Sequence, residues 1–204
     1  MAFSAKLTSL ILVGGVGATG VAYVGIRSLS SPKNRKETFG DKYKNALLTS
    51  NPEDSGKWGT RKSKLEKDND SNMESSLRAV KDKKPLKEED IKEWCSEIAS
   101  SPFDSKSTKI KWFETYCVYT VKEKVGSKFI TDSQSSSWTN ANNTLKGKDK
   151  SSLPTSLQTI HDQLSASSAD ASALQKYCHS KQDDVFRGLN DGLYSEISTY
   201  CVQS

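Results

Sequence analysis

The sequence predicts a mostly α-helical protein in which a single N-terminal transmembrane helix precedes two tandem homologous helical units, and three observations lead there. A frame of cysteines and aromatics occurs twice. Trp94-Cys95 is followed by Phe103, eight residues after the cysteine, and by Tyr116-Cys117-Val118, whose cysteine lies fourteen further on. Tyr177-Cys178 is followed by Phe186 at the same eight-residue interval and by Tyr200-Cys201-Val202, whose cysteine lies fifteen further on. Upstream, Trp58 precedes Leu65 by seven residues, as Trp138 precedes Leu145. The second observation is that Leu7 to Ile26 carries no charged side chain. The third is that apolar residues beyond it recur at helical spacing. The division this implies is an anchor or uncleaved signal over residues 1–30, a basic linker with a short helix over 31–56, a first helical unit over 57–126, and a second, its repeat, over 127–204.

The uncharged run has the length of a bilayer span, since twenty helical residues rise about 30 Å. It exceeds the h-region of a cleaved signal, and no clear small-x-small site precedes a polar mature start. An uncleaved anchor over residues 7–26 is therefore expected. Inside the run, Gly15-Val-Gly17-Ala-Thr-Gly20 spells a dinucleotide fingerprint. A dinucleotide fold would continue into a polar-faced helix, a buried strand and an acidic residue about twenty positions on. The chain instead stays uncharged to Ile26 and enters Ser28-Leu-Ser-Ser-Pro-Lys-Asn-Arg-Lys36, so the glycines read as membrane-helix residues.

Orientation cues conflict. Arg27, Lys33, Arg35 and Lys36 follow the run while Lys6 alone precedes it, a bias that favours an inward C-terminal region. Paired cysteines favour an oxidising exterior, and the outward reading is adopted. Residues 31–204 hold 28 basic and 25 acidic groups, so the region is nearly neutral. Leu, Ile, Val and Phe make up 29 of those 174 residues, a share low enough for disorder were the net charge high. Near neutrality points instead to small helical units with thin cores, the size class that needs staples.

In chain order, Phe39, Tyr43 and Leu47 lie four apart and suggest one stripe of a short helix, broken by Asn51-Pro-Glu-Asp-Ser-Gly56. Residues 57–90 mix both charges, with Trp58, Leu65, Leu77 and Val80 isolated among them. Arg61-Lys-Ser-Lys64 and Lys81-Asp-Lys-Lys84 are offset by Glu66, Asp68, Asp70 and Asp82, which argues for a solvated helical face and against a nucleic-acid patch. After Pro85, Ile91, Trp94, Cys95 and Ile98 fall at i, i+3, i+4 and i+7, with acids in the first turn where the helix dipole favours them. Ser100-Ser-Pro102 ends that helix. Ile110, Phe113, Cys117 and Val121 predict the next over Ser107 to Val125. In the second copy Leu157, Ile160, His161 and Leu164 repeat the spacing, a helix is expected around Ala171 to Cys178, and Leu193, Ile197 and Cys201 stripe the last.

Four cysteines and two histidines raise the question of chemistry. Zinc ligands come in close pairs, whereas these cysteines are separated by 22, 61 and 23 residues, so no metal site is expected. A cysteine nucleophile would need His161 or His179 beside a thiolate, yet each cysteine neighbours an aromatic on an apolar face. No catalytic residue, cofactor or small-molecule substrate is assigned. Cys95, Cys117, Cys178 and Cys201 are read as structural disulfide candidates, three pairings being open, with Cys95–Cys117 and Cys178–Cys201 favoured because a stapled, duplicated unit should carry its own staple. Buried free thiols are the alternative. The sequons at Asn69 and Asn142 have meaning only in a glycosylating host.

With the anchor, the Thr38-Phe-Gly-Asp-Lys-Tyr-Lys-Asn-Ala-Leu-Leu48 block, Trp58 and the Trp94-Cys95, Phe103, Tyr116-Cys117 frame in view, the chain resembles the paralogous families of small membrane or surface proteins of haemotropic mycoplasmas. The second half departs from that pattern in being rich in Ser and weaker in aromatics. The resemblance implies a membrane-associated or surface-exposed protein, an antigen varied among paralogues. Taken with the uncharged run, the cysteines and the mixed charges, the expectation is a single-pass cell-membrane protein with its C-terminal region extracellular, a non-enzymatic antigen or host-interaction module whose partners are the membrane through residues 7–26 and a host protein or antibody, with no nucleic acid. A cysteine-dependent enzyme and an inward-facing scaffold tethered at the membrane are the competing readings.

Overall fold

A computed structural model describes residues 35–203. The expected anchor at 7–26 lies outside the described residues. Among the described residues no helix is long and apolar enough to cross a membrane. From Lys36 onward the chain forms one compact unit, and its described part is mostly α-helical, with ten α-helices and isolated β-bridges between loops.

The ten helices fall into two series of five. The first is α1 (Phe39–Lys42), α2 (Ser55–Lys67), α3 (Ser75–Lys81), α4 (Glu88–Ser100) and α5 (Lys109–Cys117); the second is α6 (Val121–Val125), α7 (Ser135–Lys146), α8 (Thr155–Ser165), α9 (Ala173–Lys181) and α10 (Gly192–Tyr200). Local chemistry sets the matching ends. Thr38 and Asp41 form a reciprocal capping box at α1, as Thr120 and Glu123 do at α6, each satisfying two otherwise orphaned N–H groups. The apolar stripe of α2 places Trp58 and Leu65 in the core, and that of α7 places Trp138 and Leu145 there.

The contacts that close each series also match. Phe39 N–H donates to Ser101 O at 3.1 Å and Phe103 N–H to Glu37 O at 2.7 Å; Val121 N–H donates to Asp184 O at 2.9 Å and Phe186 N–H to Tyr119 O at 2.9 Å. Leu48 N–H reaches Cys117 O at 2.9 Å and Tyr119 N–H reaches Ala46 O at 2.8 Å; Ile130 N–H reaches Cys201 O at 3.0 Å and Gln203 N–H reaches Lys128 O at 2.8 Å. The four bridges therefore form two equivalent couples: Thr38 with Pro102 and Thr120 with Val185, then Leu47 with Val118 and Phe129 with Val202. The Trp58 indole N–H donates to Thr49 O at 2.7 Å, and that of Trp138 to Thr131 O at 3.1 Å.

Two apolar clusters follow. The first gathers residues from Phe39 to Tyr119 around Phe39, Phe113 and Tyr116; the second runs from Val121 to Cys201 around Leu145, Leu157, Leu174 and Ile197. Phe39 meets the rings of Phe103 at 5.1 Å and Phe113 at 5.2 Å, both edge to face, a geometry worth about 0.5–1.5 kcal/mol per pair beyond area burial. Phe186 crosses the division: it belongs to the second series but is buried in the first cluster. Close packing explains Gly40, where an added Cβ would stand 2.9 Å from Ala99 O on α4.

Three sequence expectations are corrected. The stripe through Phe39, Tyr43 and Leu47 is not one helix, because α1 stops at Lys42 and Leu47 pairs with Val118 in extended form. The helix expected over Ser107 to Val125 is two, α5 and α6, interrupted where Val118 pairs with Leu47 and Thr120 caps α6. The region assigned to the linker and short helix over 31–56 contributes Phe39, Tyr43, Ala46 and Leu48 to the first core. The matched contacts accordingly begin at Glu37 and Tyr119, upstream of the boundaries at 57 and 127.

Candidate functional site

The two disulfides sit at the same place in the two series. Cys95 on α4 is joined to Cys117 at the end of α5, with Cα atoms 5.4 Å apart, and Cys178 on α9 is joined to Cys201 just after α10, at 5.9 Å. Both spans fall within the range of about 4.4–6.8 Å that a disulfide bridges. All four cysteines are buried and engaged in these bonds, and the carbonyl of the second cysteine in each pair accepts from the loop after the first helix of its series. The bonds thus tie three segments.

The histidines have separate surroundings. His161 Nδ1 is buried without a hydrogen-bond partner and lies 4.0 Å from Asp162 Oδ1. His179 lies 3.3 Å from Asp132 and packs against Phe129 and the edge of Trp138, with ring centroids 6.1 and 5.5 Å away. Among the described residues no group of three or more His, Cys, Asp or Glu is placed to hold a metal ion.

An open cleft of about 720 Å³ lies where the two series meet, between α2, α5 and the segment before Phe186. Its lining includes Arg61, 4 % exposed. Arg61 Nη2 donates to Val118 O at 3.0 Å and to Glu123 Oε2 at 2.7 Å, while Nε has no acceptor. An unmet buried donor costs about 1–3 kcal/mol. Lys64, Lys106 and Lys111 stand around it, with Ser107 and Thr108 at the start of α5; Glu114 and Asp183 also line the cleft. Glu114 is occupied by the Tyr43 hydroxyl at 2.8 Å and Arg187 at 3.3 Å, and Lys111 pairs with Asp70 at 2.6 Å.

Asp54, in the turn before α2, is fully buried. Its Oδ2 accepts from Thr49 N–H at 2.9 Å, Thr49 Oγ1 at 2.8 Å and the Tyr119 hydroxyl at 2.5 Å, and Oδ1 accepts from Lys57 at 2.8 Å. Burial alone would push this carboxyl up, but hydrogen bonds from Lys57, Tyr119 and Thr49 outweigh it and hold the pKa at about 2. Burial and the bond to Asp54 drive the Tyr119 hydroxyl upward, so it stays a donor.

The sequence reads Arg61 within a basic run on a solvated helical face, and its burial at 4 % exposure corrects that; Asp54 is not singled out at all. A signal for Arg61 exists: it lies three residues after Trp58 and four before Leu65, on the buried stripe. Asp54 lies in the turn treated as a breaker, and nothing local marks it. Compared with family models, curated proteins and solved structures, the chain matches none.

Proposed function

We propose that this chain is a membrane-anchored, non-enzymatic surface protein whose residues 7–26 are the anchor and whose region from Lys36 onward is a duplicated, disulfide-stapled module displayed outside the cell. In this reading it belongs with the surface proteins of haemotropic mycoplasmas that its aromatic and cysteine frame resembles, and its exposed helical faces meet a host protein or antibody. The observation that carries the reading is the recurrence of one stapled contact set, Cys95–Cys117 with Leu47 and Val118, then Cys178–Cys201 with Phe129 and Val202. Two buried disulfides suit an oxidising exterior, and they free the surface to vary because stability is vested in cysteines and core.

Protease and a membrane-impermeant thiol reagent applied to intact cells test it. Digestion of the C-terminal region, with thiol labelling appearing only after reductant and denaturant, is the expected result. Protection of the whole region from protease would overturn the outward placement. Labelling of one cysteine in the native, unreduced protein would move a cysteine-dependent enzyme ahead.

A further inference from the structure

We propose that the turn after Phe186 is a processing site for an endoprotease of apolar specificity, which hydrolyses the bond between Leu189 and Asn190, and that the Cys178–Cys201 disulfide keeps the cut chain assembled. Among the described residues Leu189 is the one large apolar side chain left exposed, at 72 %. Every other leucine, phenylalanine, tyrosine and tryptophan among them is buried or half-buried. An enzyme that reads such a side chain therefore meets one at the surface.

The backbone supports the same turn independently. The N–H groups of Arg187, Gly188, Leu189 and Asn190 donate to no backbone acceptor among the described residues. They lie between Phe186, whose N–H reaches Tyr119 O at 2.9 Å, and Asp191, whose N–H reaches Gly188 O at 3.1 Å. Gly188 holds a φ of +129°, a conformation that glycine adopts freely. The equivalent turn of the first series is tied down. There Lys106, which matches Leu189, donates its N–H to Asp104 Oδ1 at 2.9 Å, and Ser107 N–H donates to Asp104 O at 2.9 Å. Opening residues 187–191 breaks the Arg187 pair with Glu114, one turn bond and the Asp191 cap of α10. It draws no side chain out of either core, so the opening is local. Exposed loop tips of this kind are where nicking concentrates.

Hydrolysis consumes one water: its oxygen completes a carboxylate on Leu189 and Asn190 becomes a new amino terminus, with nothing oxidised or reduced. The cut falls between Cys178 and Cys201, so residues 190–204 stay covalently joined to the rest. Ser156 Oγ to Glu196 at 2.8 Å, Ile130 N–H to Cys201 O at 3.0 Å and Gln203 N–H to Lys128 O at 2.8 Å also hold that piece in place. Protease or reductant alone leaves one covalent link and a high effective concentration of the piece; both together release it. The site does not depend on where the chain is anchored.

The test is brief digestion of the full disulfide-bonded chain with chymotrypsin under native conditions, read by mass with and without reductant. Mass assigns any cut within residues 1–34 separately. Within residues 35–203 the first cut is expected after Leu189. Without reductant it gives a chain heavier by one water than its uncut counterpart, and with reductant a free piece of residues 190–204. Leu189→Ser, a change at an exposed side chain, should slow that cut about tenfold while melting with the parent. The cut, unreduced chain should keep the parent's amide spectrum near Leu145 and Leu174 and lose it there once reductant is added. A first cut elsewhere within residues 35–203, no cut at all, an unchanged rate in Leu189→Ser, or loss of that spectrum before reductant would each overturn the proposal.

Discussion

The Tyr119 hydroxyl donates to the buried Asp54 carboxylate at 2.5 Å, joining residues 65 apart in sequence. Tyr119 is also the residue at which one contact series ends and the next begins, since its N–H reaches back to Ala46 O and its carbonyl accepts from Phe186 N–H. One residue thus holds the turn before α2, the closing segment of the first core and the opening of the second. Removing only the hydroxyl, in Tyr119→Phe, should cost about 1.5–3 kcal/mol, the range for a hydrogen bond to a charged group. Chemical denaturation of the variant beside the parent measures it.

The same carboxylate makes stability depend on acid. Its folded pKa of about 2 lies below the ordinary 3.8, so the unfolded chain binds the proton more tightly. The stabilisation is then complete above pH 3.8 and fades as pH falls through about 2, an amount on the order of 2 kcal/mol. Denaturation midpoints between pH 5 and 2 should fall more steeply for the parent than for Asp54→Asn. Parallel slopes would show that other carboxylates dominate the acid response.

The paired staples should contribute comparably. Closing loops of 22 and 23 residues is worth about 3 kcal/mol each in the chain-entropy model. Replacing Cys178 and Cys201 together by Ala, or Cys95 and Cys117 together, should each lower stability by about that much, and peptide mapping without reductant should recover these two pairs. A linked peptide carrying Cys95 with Cys178 or Cys201 would refute the within-series pairing.

Much of the fold is written where side-chain size has no substitute. The seven-residue step from Trp58 to Leu65 and from Trp138 to Leu145 survives in both halves because each tryptophan fills a core and donates to a threonine carbonyl. The cysteine frame is legible for the same reason. The equivalence of α1 and α6 is not: Thr38-Phe-Gly-Asp41 and Thr120-Val-Lys-Glu123 share only a threonine and an acid three positions on, because a capping box constrains those two positions and leaves the others free. The break at Val118 was hidden because apolar residues at Phe113, Cys117 and Val121 keep helical spacing through it. What ends the helix is pairing with Leu47, seventy-one residues away, and a local pattern carries no trace of that.

Trp58 and Trp138 allow the equivalence to be measured. Substituting naphthylalanine would keep the bulk and remove the N–H, leaving Thr49 O and Thr131 O without that donor. The net loss should be about 1 kcal/mol at each site, the ordinary worth of one neutral hydrogen bond. Melting both variants against the parent gives the two values, and a several-fold difference between them would mean that the matched geometry is not matched in energy.

Phe186 decides whether the two cores behave as one. It is 2 % exposed in the first cluster, while its ring meets Tyr194 of α10 edge to face at 4.9 Å and its backbone N–H bonds to Tyr119 O. Tyr194 itself packs against both clusters, so the ring ties the second series to the first. Truncating a buried phenylalanine costs about 3–5 kcal/mol in general. Here the loss should fall on the coupling as well as on the total, because each core keeps its own disulfide, capping box and tryptophan. In the parent, amide exchange near Leu65 and near Leu145 should report the same opening free energy. In Phe186→Ala the two should separate, with one core opening while the other stays protected. Equal protection in the variant, at a lower common value, would show that the series remain coupled through their other contacts, among them Arg61 with Glu123 and Arg187 with Glu114.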